Sequence, residues 1–398
     1  MKLRITTTII ILIIFTRFTS GCRPNSTSQI GQRSTHTQDN RPVRLQNVTR
    51  GWKTNWKRHT IQYDELLSGG PPRDGIPSID NPHFIPTQKA AKWLADNEPV
   101  IALQMNENAR AYPLQILIWH EIVNDVIGDV PVIITFCPLC NSAIVFDRRL
   151  KGKVYEFGTS GLLRNSDLVM YDRTTESLWQ QFTGEAIVGD LAGEELTFLP
   201  SSLVSSADFR ASYPDGVVLS RQTGYTRGYG RNPYIGYDTI GQNPFMFKGE
   251  VDGRLPAMER VVAVSLKPGS DSGQAVVVAY PFSLLSKRGV INDTQNDRDL
   301  VVFYTAGASS ALDDKLIAKG EDVGATGVFD PHIRGRKFTF IRDGDKILDK
   351  ETGSGWNILG KAISGPMAGQ KLTPIVHGNH FWFAWAAFQP KTIIYKEK

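Results

Sequence analysis

Residues 172–179 read Asp-Arg-Thr-Thr-Glu-Ser-Leu-Trp, and residues 349–356 read Asp-Lys-Glu-Thr-Gly-Ser-Gly-Trp. The shared D-x-x-T-x-S-x-W pattern has a physical reading. Asp, Ser and Thr side chains hydrogen-bond nearby backbone in turns, and Trp supplies a core anchor. The block therefore reads as structural, and it occurs twice. Other blocks recur in the same order. Glu98–Leu103 (EPVIAL) matches Glu259–Val264 (ERVVAV), Ala111-Tyr112-Pro113 matches Ala279-Tyr280-Pro281, and Val123-Asn124-Asp125 matches Ile291-Asn292-Asp293. Gly184–Gly193 matches Gly360–Gly369, and Pro214 matches Pro390. The period is too long for a solenoid. The expectation is a tandem duplication of two homologous halves.

Local patterns set the fold class. Pro99–Gln104 and Ala109–Tyr112 read as strands around an Asn106-Glu107-Asn108 turn. Leu114–Val123 reads as a short helix after Pro113. Val130–Phe136 reads as a buried strand rich in β-branched residues. Ser142–Asp147 and Val154–Phe157 read as a hairpin around Lys151-Gly152, and Asp167–Tyr171 as a further strand. Asp208–Tyr213 and the aromatic Trp382–Phe388 read as short helices. The fold class is α+β, predominantly antiparallel β, in two tandemly duplicated homologous halves. The first repeat, 98–220, carries a Cys pair. The second, 259–396, lacks it. A Tyr/Gly-rich connector, 221–258, joins them, and 51–97 is an N-terminal lead-in.

The bulk numbers agree. A chain of 398 residues suits two domains, and 41% hydrophobic content is globular. The net charge of +5 is spread among acidic residues, so no nucleic-acid partner is expected. At the N-terminus, Lys2 and Arg4 precede an apolar run, Ile9–Phe15, too short to span a bilayer. Residues 1–22 end in Thr19-Ser20-Gly21-Cys22, which resembles a bacterial lipoprotein signal and implies lipidation at Cys22. Residues 23–50 are polar and read as a flexible tether. The expected location is outside the cytoplasmic membrane, anchored to it by an N-terminal lipid or anchor.

A repeat supplies its own control, because residues held by both halves serve the fold and residues held by one are free for function. Cys137 and Cys140 align with Thr305 and Ala308, while Ser142 aligns with Ser310. Trp119-His120-Glu121 aligns with Lys287-Arg288-Gly289. The stretch Gly158–Ser166 (GTSGLLRNS) has no counterpart between Ile341 and Ile347. These losses coincide if His120, Cys137, Cys140 and the Ser160–Asn165 loop converge on one site. Ser160 and Asn165 are then its cofactor-binding candidates.

The segment Thr135-Phe-Cys-Pro-Leu-Cys-Asn-Ser142 decides the chemistry. In thioredoxin-like sites a C-x-x-C opens a helix that lowers a thiol pKa. Here the following residues look extended, and Asn141 suits a left-handed turn. The pattern resembles the metal knuckle of rubredoxins and zinc ribbons, although no second C-x-x-C exists. Two thiolates completed by His120 or Met170 suit a soft or borderline ion, copper or zinc. T-F-C-P also resembles exported copper chaperones of the Sco type, with a cysteine spacing one residue shorter here. Three readings stand: a Cys137–Cys140–His120 site for copper or zinc, a thiol–disulfide oxidoreductase, or a non-enzymatic surface module with a passive disulfide and no cofactor. If the site is redox or enzymatic, Cys137, Cys140 and Glu121 are its catalytic candidates. The partner is a protein or a metal donor or acceptor. The connector tyrosines 225, 229, 234 and 237 read as packing, as do His377 and His380.

Ala111-Tyr-Pro, His120-Glu-Ile-Val-Asn-Asp125, Thr135–Cys140, Phe157-Gly-Thr-Ser-Gly161, Ser166–Arg173 and Ser177-Leu-Trp179 together resemble an exported prokaryotic family filed as domain of unknown function 3179. The resemblance covers roughly residues 74–390, with Asn141 where glycine is usual. It implies export and leaves the activity open.

Overall fold

The computed structural model describes residues 40–266 and 275–397. Strand makes up 40% and helix 13%, and nearly all strand pairing is antiparallel. The expected α+β class holds. Cys22 lies outside the described residues. Inside the segment expected as tether, Val43–Val48 form a helix with Leu45 buried against Ile61 and Leu66. Among the described residues no helix is long and apolar enough to cross a membrane.

Residues 98–220 contribute to three large sheets and to a two-stranded ribbon of Arg149–Leu150 with Lys153–Val154. Pro99–Met105 and Asn108–Pro113 form the first, extended by Ser202–Ser205 and Val217–Leu219. The second contains β1 (Ile122–Ile127), β2 (Val130–Cys137) and β3 (Ser142–Asp147). The third contains β4 (Phe157–Arg164) and β5 (Asp167–Asp172), followed by Leu178–Gln180 and Ala186–Val188. The lead-in is built into them: Leu67–Ser68 pairs with β4, and Phe84–Pro86 pairs with Val217–Leu219.

Residues 259–396 form sheets of matching order. Arg260–Leu266 lies between His377–Phe381 and Val276–Pro281. Val290–Gln295, Arg298–Thr305 and Ala325–Asp330 run in the order of β1, β2 and β3. The register matches too, since Ile122 faces Thr135 and Val290 faces Phe303.

The recurring residues do the same work in both segments. The Asp172 carboxylate accepts from Thr175 N, Thr175 Oγ1 and Trp179 Nε1 at 2.6, 2.8 and 3.1 Å. Asp349 accepts from Thr352 N and Trp356 Nε1 at 2.6 and 2.9 Å. Trp179 meets Phe157 edge-on, as Trp356 meets Phe340. The Asn124 side chain donates to Phe157 O and accepts from Phe157 N, and Asn292 does the same to Phe340. Tyr112 donates to Asp125, and Tyr280 to Asp293. The Asp–Trp bonds join neighbouring strands of one sheet, whereas the Asn–Phe and Tyr–Asp bonds tie one sheet to the next.

Three local expectations change. The helix expected over 114–123 is only Leu114–Leu117, because β-branched Ile122 and Val123 continue into β1. Ser142–Asp147 pairs with β2 rather than with Val154–Phe157, although Lys151 and Gly152 do form a turn with φ of 49° and 76°. Ser142 is not matched by Ser310 in space. Cys137 pairs with Ser142, whereas Thr305 pairs with Ala325, so a tight turn in one segment is a long loop, 306–324, in the other.

Asp172 and Asp349 are both nearly fully buried, and removal leaves Thr and Trp donors without partners. Asp172→Ala and Asp349→Ala are each expected to cost about 2–4 kcal/mol, read from denaturant midpoints. A loss below 1 kcal/mol at both would contradict the anchoring role.

Candidate metal centre

Cys137 closes β2, a strand of Val132, Ile133, Ile134 and Thr135 that packs on both faces. Its pairing with Ser142 forces the chain to reverse between them. Pro138 begins a single 3-10 turn, Pro138–Cys140, and Asn141 closes it in the left-handed region at φ 49°, ψ 36°. The chain then returns to strand, so there is no helix N-terminus to stabilise a thiolate. The turn brings Cys137 and Cys140 to 3.8 Å, unbridged and buried.

The third group is Asp167. Asn165 and Ser166, with φ of 51° and 66°, make the tight turn between β4 and β5, and Asp167 is the first residue of β5. Its Oδ2 accepts from Gln180 Nε2 at 2.5 Å and Phe182 N at 3.0 Å. Its Oδ1 is buried with no hydrogen-bond partner among the described residues. One ligand atom from each of Cys137, Cys140 and Asp167 lies within 4.8 Å of the others. Among the described residues Ser142 Oγ, Gln180 Oε1 and Gln181 Oε1 are also buried without partners, and Gln180 bonds Asp167 while Gln181 bonds Ser142 O. Such orphans call for a specific cause, and an ion is one.

Burial sets the electrostatics. It raises both thiols, Cys140 well above the usual range. It raises Asp167 from 3.8 to about 7, against the opposing bonds from Gln180 and Phe182. Glu121 rises from 4.5 to about 8 through burial and then the charge of Asp167. Without a cation the cluster keeps its protons near neutral pH.

The other expected site residues divide. His120 is buried, but Nδ1 is bonded to Pro77 O and Nε2 to Tyr229 Oη, each at 2.7 Å. It is not part of the cysteine cluster, whose third member is Asp167. Ser160 Oγ donates to Val169 O and accepts from Leu162 N, shaping a bulge in β4. Gly161 in that bulge has φ 73°, and a Cβ there would lie 2.1 Å from Pro71 O. Asn165 is a turn residue. Met170 sits in the core opposite Trp179. The connector packs over the site as expected: Tyr237 Oη donates to Leu139 O, and Tyr229 holds His120. His380 stacks on Trp385, in keeping with packing.

Glu121 does join the cysteines. With Cys137, Leu163, Leu168, Tyr234 and Phe245 it lines a cavity of about 120 Å³. It also has φ 58°. Glu121 N donates to Leu117 O and Phe136 N donates to Glu121 O, while Gly289, at φ 70°, makes the same two bonds with Leu285 and Tyr304. One segment uses glycine where the other holds a carboxyl in a conformation that costs about 1–2 kcal/mol.

Asp167 was missed by the sequence reading, yet a signal was present. The stretch Gly158–Ser166, without counterpart in residues 259–396, ends one residue before it. The hairpin Phe340–Asp343 with Lys346–Asp349 turns at Gly344-Asp345, and so ends before the position where β5 begins. Tracing strand pairs back from Asp172 would have exposed it.

The model of a family described as a protein of unknown function (DUF3179) matches residues 73–392. No curated protein and no solved structure matches the chain.

Two outcomes are expected. Asp167 and Glu121 titrate higher in the folded than in the unfolded chain, so the folded form holds extra protons between about pH 4 and 8. Their contribution to stability is present below pH 4 and lost as pH rises through 7 to 8. The thermal midpoint of metal-free protein should fall over that window, and Asp167→Asn should flatten the slope. A slope unchanged by the substitution would show an ionised Asp167. Separately, Glu121→Gly should leave stability within about 1 kcal/mol of wild type or raise it, since left-handed strain is relieved while unfolded-state entropy rises.

Proposed function

The chain belongs to that family, and from this premise we propose that it is a metal-binding protein whose ion is held by Cys137, Cys140 and Asp167. One observation carries the reading: two thiols and an otherwise unpartnered carboxylate oxygen converge within 4.8 Å in a buried site. Two sulfurs and one oxygen form a borderline donor set. That favours Zn(II), with Cu(I) second because it prefers sulfur alone. The three ligands leave a fourth position, and Cys137 borders the cavity. Structural zinc sites fill four positions with protein, whereas sites that work on a ligand keep one open.

Thiol–disulfide exchange is less favoured. It needs an accessible thiolate, and here burial raises both thiols. A passive staple is also less favoured, because the sulfurs are unbridged and residues 259–396 have Thr305 and Ala308 at the aligned positions.

We further infer that the protein is exported and held at the extracytoplasmic face by Cys22. The support is the charged, apolar and small-residue order of residues 1–22. Mass spectrometry of the mature N-terminus checks it, and an unmodified Met1 start would refute it.

Metal analysis of reduced protein is expected to give one Zn(II) per chain. Cys137→Ser, Cys140→Ser and Asp167→Asn should each weaken binding by at least about tenfold. His120→Ala should leave the stoichiometry unchanged. Because loading displaces protons, affinity should climb between pH 6 and 8. No stoichiometric uptake of Zn(II) or Cu(I) by the reduced wild-type protein overturns the proposal.

A further inference from the structure

We propose that the cavity beside Cys137 is a binding site for a small neutral molecule with an apolar body and one carbonyl-type oxygen, which the Glu121 carboxyl receives. The volume sets the size. A cavity of about 150 Å³ accommodates benzene, so 120 Å³ admits a body of about six non-hydrogen atoms. The lining sets the character. Leu162, Leu163, Leu168 and Phe245 present hydrocarbon, while the Thr159 hydroxyl is already bonded to Ile76 O. The Glu121 carboxyl has no hydrogen-bond partner among the described residues. A carboxyl set among apolar groups with no partner has hydrogen-bonding capacity that an acceptor entering the cavity satisfies.

Two comparisons separate this cavity from a packing void. First, its walls come from what residues 259–396 do not have. Cys137, the long β4–β5 hairpin and the Glu121 side chain all line it, whereas the matching positions are Thr305, a shorter hairpin and Gly289. Second, Glu121 holds a left-handed backbone that its glycine counterpart adopts freely, with the same hydrogen bonds. Glu176 also stands where the other segment has glycine, Gly353, but its carboxylate is engaged by Lys53 N and Arg73. At Glu121 no hydrogen bond or ion pair among the described residues engages the carboxyl. The cover is part of the site: Phe245 is held by Ser166 Oγ on its carbonyl and by Tyr237 Oη on its N–H, and Tyr237 in turn bonds Leu139 O. The connector thereby contributes Tyr234 and Phe245 to the cavity wall.

This site neighbours the proposed ion and does not depend on it, so the test is run on metal-free and on Zn(II)-treated protein. Leucine methyl resonances are followed by NMR during titration with cyclopentanone and, as the matched apolar probe, cyclopentane. In metal-free wild-type protein, cyclopentanone should shift Leu162, Leu163 and Leu168 saturably. The ratio of the two affinities should fall about 3- to 10-fold in Glu121→Gly, the worth of one hydrogen bond. Glu121→Gln, which keeps a donor, should hold the wild-type ratio. Absence of saturable shifts at these leucines with either probe overturns the proposal, as does a ratio unchanged in Glu121→Gly. Failure to bind Zn(II) leaves the metal-free result standing and refutes only the metal reading.

Discussion

The side-chain amide of Asn124 closes both backbone groups of Phe157, at 2.8 and 3.0 Å. The amide sits on β1 and its partner begins β4, so one pair of bonds locks the second sheet to the third. Everything at the site depends on this. The thiols belong to the sheet that Asn124 sits in, and Asp167 belongs to the hairpin that Phe157 starts. A buried amide with both functions satisfied permits one register only, because a slip would leave polar groups unpaired. Asn292 and Phe340 repeat the arrangement at the far end of the chain.

On that shared framework the differences are local. Residues 98–220 have a four-residue reversal between β2 and β3 and a long β4–β5 hairpin. Residues 259–396 have the loop 306–324 and a short hairpin instead. The reversal delivers two sulfurs, and the added length of the hairpin delivers Asp167. The long loop serves a different purpose: Ser309 bonds Asn97 O, joining residues 259–396 to the lead-in. Sheet geometry is thus kept, and the polar cost of a buried acid and two buried thiols is confined to the place where the second and third sheets meet.

The parts of this arrangement that were legible in the sequence share a property: they are local. Pro138 and Asn141 announce a tight non-helical turn, and the structure has a 3-10 turn ended by a left-handed Asn. The D-x-x-T-x-S-x-W blocks announce turns that bond their own side chains. The parts that were missed are non-local. His120 was associated with the cysteines because all are lost together, but loss says nothing about distance. His120 faces Pro77 and Tyr229, and its loss goes with the lead-in and connector it holds. Asp167 looked like an ordinary strand residue because the group that frees its Oδ1, a turn of two left-handed residues before it and Gln180 beside it, is assembled only by pairing.

The sequence by itself determined the antiparallel α+β class, the recurrence of anchoring residues, and the placement of Cys137 and Cys140 on one turn. Those follow from side-chain alternation, turn chemistry and short spacing. The tertiary structure alone decided which third group meets the thiols, that His120 is occupied elsewhere, and that Glu121 shares a cavity with Cys137. These depend on strand register across two sheets, where a displacement of one residue turns a side chain to the opposite face.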